Sequence, residues 1–215
     1  MSQLSRIRVL LADDHTMFRE GVKQVLSSTA EIEVVDEAGN AQQVFEKLQR
    51  KHCDVVVLDI SMPGRDGIEV LKQLRSLDPH LHVLVLSMYP EDQYAFRAIK
   101  AGASGYLTKN KASSELIEAI RRIASGRRYI SAEVAEQLAI DVERDVDRPL
   151  HQRLSDREYQ VMLLIGSGKT VKEISQELSI SVSSVSTMRS RILKKLGVKT
   201  SAEIAHYAIK YNLVR

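Results

Sequence analysis

The chain of 215 residues contains one cysteine and no long apolar run, and its histidines are scattered. A lone Cys53 can form no internal disulfide. Its place just before a valine-rich run reads it as a small core residue rather than a redox sensor. No apolar stretch approaches the roughly 18 residues of a membrane span, and Met1–Arg6 opens no secretory leader. A cytoplasmic protein without a membrane partner is therefore expected. The six histidines lack the spacing of zinc ligands, which leaves oxygen donors as the only candidate metal chemistry.

What the chain does have is carboxylates at the ends of apolar runs. Ile7-Arg-Val-Leu-Leu-Ala12 runs into Asp13 and Asp14, and Asp54-Val-Val-Val-Leu58 runs into Asp59. Short Val/Leu-rich runs of this kind read as strands buried in a parallel sheet. Ligands of open parallel sheets collect outside the carboxyl ends of the strands. Three carboxylates delivered there repel one another unless a hard cation neutralises them, and Mg²⁺ suits few carboxylates with room for water and phosphate oxygens. Two further runs end in complementary groups: Val83-Leu-Val-Leu86 in Ser87, and Gly105-Tyr-Leu-Thr108 in Lys109. A metal, an ammonium, a hydroxyl and a nucleophilic carboxylate together make a cradle for a phosphoryl group.

Strand-like runs near 7–12, 32–36, 54–58, 83–86 and 104–108 alternate with helical patterns near 15–28, 40–51, 66–76, 91–101 and 112–125. Five βα units in about 120 residues predict a doubly wound parallel α/β domain. The residues Leu11-Ala-Asp-Asp-His15, Val57-Leu-Asp-Ile-Ser-Met-Pro-Gly64, Asp66-Gly67, Leu86-Ser87 and Gly105-Tyr-Leu-Thr-Lys109 resemble the receiver domain of two-component response regulators, over residues 7–126. That resemblance implies that Asp59 is the phosphoacceptor, attacking a phosphohistidine on a sensor histidine kinase. It implies that Asp14, Asp59 and the backbone carbonyl of Ser61 ligate Mg²⁺, with Asp13 acting largely through water. Ser87 and Lys109 would bind the new phosphoryl oxygens, and movement of Ser87 would let Tyr106 turn inward as a switch. Tyr89, two beyond Ser87, is bulky enough to crowd hydrolytic water, so self-dephosphorylation is expected to be slow. No enzyme activity beyond aspartyl self-phosphorylation and self-dephosphorylation is expected. An aspartate-nucleophile phosphatase typically has a second Asp two residues beyond the nucleophile, where this chain has Ser61.

Charge is unevenly spread. Residues 1–149 hold 20 Lys+Arg against 23 Asp+Glu, whereas residues 150–215 hold 11 against 5. A basic tail behind an acidic domain suggests nucleic acid as the tail's partner. Between them an acidic linker, 127–151, is expected to form a short helix over Ala132–Ile140, capped by Ser131, and then a tether ending at Pro149. The boundaries read as 1–126, 127–151 and 152–215.

The tail reads as an all-α domain of four helices. Ser155 and Glu158 form a capping-box pattern for the first, Thr170 opens the second, Val182–Leu196 is the third with Gly197 as its C-cap, and the fourth is Thr200–Lys210. Two helices joined by about three residues, the second with a polar and basic face, suggest helix-turn-helix geometry. On that helix Ser183, Ser184, Ser186, Thr187, Ser190 and Arg191 lie outward, followed by Lys194 and Lys195. Leu154-Ser-Asp-Arg-Glu158, Lys172-Glu-Ile-Ser-Gln-Glu-Leu178, Ser181–Gly197 and Ala202-Glu-Ile204 resemble the LuxR-type DNA-binding domain. The whole chain is thus similar to NarL/FixJ-type response regulators. The resemblance implies base-edge readers at Ser186, Thr187 and Ser190, with Lys172, Arg189, Arg191 and Lys194 on the backbone or in mixed contacts. It also implies a homodimer on double-stranded DNA paired through the fourth helix, with RNA polymerase as a further candidate partner. The expected function is a DNA-binding response regulator whose phosphorylation controls dimerisation and transcription. The alternative is a phosphorylation-gated module that sequesters a protein partner without reading DNA.

Overall fold

The computed structural model describes residues 6–50, 52–62, 65–143 and 149–214. Pro63 and Gly64 of the motif after Asp59, residues 1–5 of the leader reading, and tether residues 144–148 lie outside the described residues. The chain forms two compact units, Met1–Gln137 and Leu138–Arg215.

The first unit carries five parallel strands, β1 (Ile7–Ala12), β2 (Ile32–Ala38), β3 (Val55–Asp59), β4 (His82–Ser87) and β5 (Gly105–Thr108), in the order β2-β1-β3-β4-β5. They alternate with α1 (Thr16–Leu26), α2 (Ala41–Arg50), α3 (Gly67–Leu77), α4 (Glu91–Lys100) and α5 (Ala112–Ala124). This is the expected doubly wound sheet. All five residues of β3 are buried, because helices cover both faces of a central parallel strand. Val9, Leu11, Val55, Val57, Leu84 and Leu86 form the centre of the core against Leu116, Ile120 and Ile123 of α5. The strand order reverses between β1 and β3, and Asp13 and Asp59 stand at the carboxyl ends of those neighbours, where such sheets open a crevice.

Local details differ from the sequence reading. Strand β2 runs on to Ala38, aided by a register shift opposite Val9/Leu10, and the Ala38 carbonyl accepts the Asp13 N–H at 3.0 Å. A 3₁₀ turn over Lys109–Lys111 leads into α5. The helix after it, α6 (Ala132–Glu143), is three residues longer than Ala132–Ile140. Its start is anchored in the first unit. Val134 is buried, and the Ser131 N–H donates to Glu91 Oε1 at 3.1 Å.

The second unit packs α7 (Asp156–Gly166), α8 (Val171–Glu177), α9 (Val182–Leu196) and α10 (Ser201–Lys210), after a 3₁₀ turn over Leu150–Arg153 that the sequence did not announce. Ser155 with Glu158, and Thr170 with Glu173, close complete capping boxes. Gly197 ends α9 in the left-handed region, at φ 70°, which costs glycine no Cβ clash. Every residue from Glu158 to Ile165 is buried, so α7 is the axis on which the others pack.

Candidate functional site

The site of the first unit is built at the carboxyl edge of the sheet. β1 delivers Asp13 and Asp14, β3 delivers Asp59, β4 delivers Ser87, and the turn after β5 delivers Lys109. Asp13, Asp59 and Ser87 are all but fully buried. Asp59 Oδ1 accepts the Ser61 N–H at 2.8 Å, and Asp59 Oδ2 accepts from Lys109 Nζ at 2.6 Å. Lys109 Nζ also lies 2.7 Å from Asp13 Oδ2, so one ammonium bridges two buried carboxylates. Asp13 is held from its other side by the His15 N–H, which donates to Oδ1 at 2.8 Å, and by Arg19, whose Nη1 donates to the Asp13 carbonyl at 2.7 Å.

Burial raises the Asp59 carboxyl above its ordinary range, and the attraction of Lys109 only partly offsets it. Burial also works against the Lys109 charge, but Asp59 and Asp13 outweigh it and hold that ammonium above its usual value.

Asp13, Asp14, His15 and Asp59 each bring one ligand atom within 4.8 Å of the others. Asp13 Oδ2, which faces Lys109 Nζ at 2.7 Å, and Asp14 Oδ1, which faces His15 Nδ1 at 3.1 Å, are both buried. The three carboxylates and Lys109 leave two net negative charges. The donor set is hard and oxygen-rich, and it fits a dication that retains waters.

Ser87 Oγ accepts the Tyr89 N–H at 3.1 Å. The Tyr106 side chain is already buried, with its hydroxyl donating to the Tyr89 carbonyl at 2.8 Å. The Tyr89 ring stacks on Tyr94 of α4 with centroids 4.8 Å apart. Sequence reasoning passed over Phe18, whose ring lies 4.6 Å from Lys109 Nζ, and Arg19. Phe18 falls at a helical position on α1 and carries no signal other than that of a core residue.

In the second unit, Val185, Ile192 and Leu196 turn inward from α9. Ser183, Ser186, Thr187, Ser190, Arg191 and Lys194 are exposed, as is Lys172 on α8. Thr187 Oγ1 and Ser190 Oγ donate to the carbonyls one turn back, at 2.9 and 3.1 Å, which keeps the hydroxyl face compact. Three candidates are engaged inside the unit. Arg189 Nε donates to Ser201 Oγ at 2.6 Å, Lys195 Nζ to Glu158 Oε2 at 2.6 Å, and half-buried Ser184 donates its N–H to Ser181 Oγ at 3.1 Å.

Residues 9–121 match the response regulator receiver domain, and residues 152–208 match the luxR family of bacterial regulatory proteins. The chain therefore belongs to the transcription-regulating response regulators of two-component systems, those in which a receiver domain precedes a LuxR-type helix-turn-helix domain. It is 35% identical over 208 residues to response regulator UvrY of Escherichia coli (strain K12), covering 96% of this chain and 95% of that one. It is also 35% identical over 210 residues to response regulator GacA of Pseudomonas aeruginosa, covering 97% and 98%. Among solved structures, RcsB from Salmonella enterica serovar Typhimurium, bound to promoter rprA in the presence of phosphomimetic BeF3−, superposes with a TM-score of 0.64. It shares 25% identity, over 94% of this chain and 98% of that one. Among the described residues, no helix is long and apolar enough to cross a membrane.

Proposed function

We propose that Asp59 accepts a phosphoryl group from a phosphohistidine of a sensor histidine kinase, and that this event governs DNA binding by the second domain as a homodimer. The observation that carries the reading is the bridge of Lys109 between buried Asp59 and Asp13, beside Asp14 and Ser87. Asp59 Oδ attacks phosphorus, the P–N bond breaks, and the imidazole leaves with a proton. Asp13, Asp14, Asp59 and the Ser61 backbone carbonyl would hold Mg²⁺, which screens phosphoryl oxygens from the carboxylates when bound. Lys109 neutralises a further oxygen and Ser87 donates to another. When Ser87 Oγ turns to the phosphoryl group it gives up the Tyr89 N–H, which loosens the loop that Tyr106 holds at the Tyr89 carbonyl.

In the reader, Ser186, Thr187 and Ser190 face base edges. Lys172, Ser183, Arg191 and Lys194 meet the backbone, and Ser184, Arg189 and Lys195 add what their internal bonds leave free. The domains run 1–126 and 152–215, joined by 127–151. The protein works in the cytoplasm, with RNA polymerase as the downstream partner, and its only chemistry is aspartyl self-phosphorylation and self-dephosphorylation. RcsB in complex with its promoter supports the DNA part of the reading.

The test is a selection from genomic DNA at fixed salt, with and without acetyl phosphate and Mg²⁺. An inverted-repeat site that tightens on phosphorylation, and does not tighten in Asp59→Asn, is the expected result. Equal tightening in Asp59→Asn would overturn the assignment of the phosphoacceptor, and no enriched site would overturn DNA reading.

A further inference from the structure

The opposite edge of the sheet carries a second polar cavity, of about 320 Å³, where the chain leaves α5. It is lined by Arg75, His80, His82, Arg127 and Arg128, together with Gly102 and backbone around Ser104 and Gly126, and among the described residues no carboxylate lines it. This concentration of cations stands out, because residues 1–149 are net acidic.

The arginines differ in how they are held. Arg75 is fixed, with Nη1 donating to the Leu81 carbonyl at 2.8 Å. Gly102, at φ +107°, makes room for the Arg75 side chain, since a Cβ there would lie 2.8 Å from Arg75 Cγ. The side chains of Arg127 and Arg128 are exposed and make no hydrogen bond or ion pair among the described residues. His82 beside them titrates below its ordinary value. Burial is the main cause and Arg75 the next, with Asp54 and Asp78 only partly opposing them.

We propose that this cavity binds a free, phosphate-bearing small molecule of about mononucleotide size. The chemistry follows from the lining. Planar guanidiniums bind phosphate oxygens in pairs, a half-buried imidazole adds a donor, and the nearby carboxylates of Asp54 and Asp78 stand behind the lining rather than in it. The volume lies at the lower end of small-molecule sites, so a nucleoside monophosphate fits and a large cofactor does not. The consequence is regulatory. Arg127 and Arg128 lie between α5 and Tyr129, whose N–H donates to the Ser104 carbonyl at 3.0 Å, so a bound anion would clamp the first residues of the linker to the sheet. That input is independent of Asp59, which lies at the other end of β3.

The test is calorimetric titration of the full chain carrying Asp59→Asn, without Mg²⁺, using AMP and inorganic phosphate at matched ionic strength. Saturable one-site binding is expected, weakened at least about tenfold by Arg127→Ser with Arg128→Ser. It should be unchanged by Arg50→Ser with Lys100→Ser, which removes the same charge elsewhere. AMP binding more tightly than phosphate supports a ligand of that size, and equal binding of the two would overturn it in favour of a bare phosphate subsite. No saturable binding, or equal loss in both double variants, would overturn it.

Discussion

Lys109 Nζ donates to Asp59 Oδ2 at 2.6 Å and so partly offsets the burial that raises this carboxyl above its ordinary value. The same ammonium reaches Asp13, so Lys109→Met removes the cation from two buried acids at once. Breaking such a pair by deleting one partner costs about 3 kcal/mol. In urea titrations without Mg²⁺ the midpoint of the variant should fall accordingly. Excess Mg²⁺ should restore part of the loss, because the dication supplies the missing charge. An unchanged midpoint in metal-free buffer would show that the bridge contributes nothing to the resting fold.

Cys53 tests the reading of a lone thiol. It is buried before β3, and burial first, then the nearby Asp54 charge, pushes the thiol up to about 11. At pH 8 the thiolate fraction is then about two orders of magnitude below that of a free cysteine. Alkylation by iodoacetamide should be slow by that factor in the native protein and ordinary in denaturant. Fast native alkylation would mean that β3 opens locally or that the thiol is exposed.

Why so much of the first unit could be read from sequence follows from its geometry. Strand segments buried on both faces must be apolar, so Val9–Ala12 of β1, Val55–Leu58 of β3 and Val83–Leu86 of β4 appear as unbroken runs, and the polar residue that follows each is the candidate site residue at the sheet edge. The capping boxes at Ser155 and Thr170 are equally local, needing only residues three apart. What escaped was non-local or conformational. The bond from Arg189 to Ser201 crosses two helices, and the one from Lys195 to Glu158 spans 37 residues. Neither leaves a periodic trace, so both cations read as free. The inward setting of Tyr106 depends on a hydrogen bond to a backbone carbonyl, which any residue at position 89 could supply.

Gly67 stands directly after Asp66, whose carboxylate caps α3 by accepting the Ile68 N–H at 2.8 Å. A Cβ at Gly67 would lie 2.2 Å from the Ile60 Cα, a backbone atom next to Asp59 that cannot step aside. Gly67→Ala should therefore destabilise the receiver by about 3 kcal/mol, at the upper end of overpacking costs. It should also slow phosphorylation by acetyl phosphate, since relief of the clash moves Ile60 and with it Asp59. Thermal unfolding and a phosphorylation time course on one preparation check both. A stable variant phosphorylated at the normal rate would mean that the loop shifts without disturbing Asp59.

Lys195 and Lys194 are neighbours on α9 with different expected roles, and pH separates them. Glu158 is buried, yet Lys195 and the Ser155 N–H outweigh that burial and hold its carboxyl below the ordinary value of 4.5. A group depressed on folding stabilises above its unfolded value, and that stability fades as pH falls through the folded value. The second domain should thus lose stability below about pH 4.5, and Glu158→Gln should flatten that loss. Lys195→Ala removes the partner and should cost about 1 kcal/mol at pH 7, discounted because the lysine is partly exposed. Among the described residues Lys194 makes no such bond. Lys194→Ala should leave unfolding unchanged while lowering the salt slope of DNA binding by about 1, with the same site preference. If Lys195→Ala left stability intact and changed the salt slope as much as Lys194→Ala, Lys195 would belong to the DNA surface and not to the cap of α7.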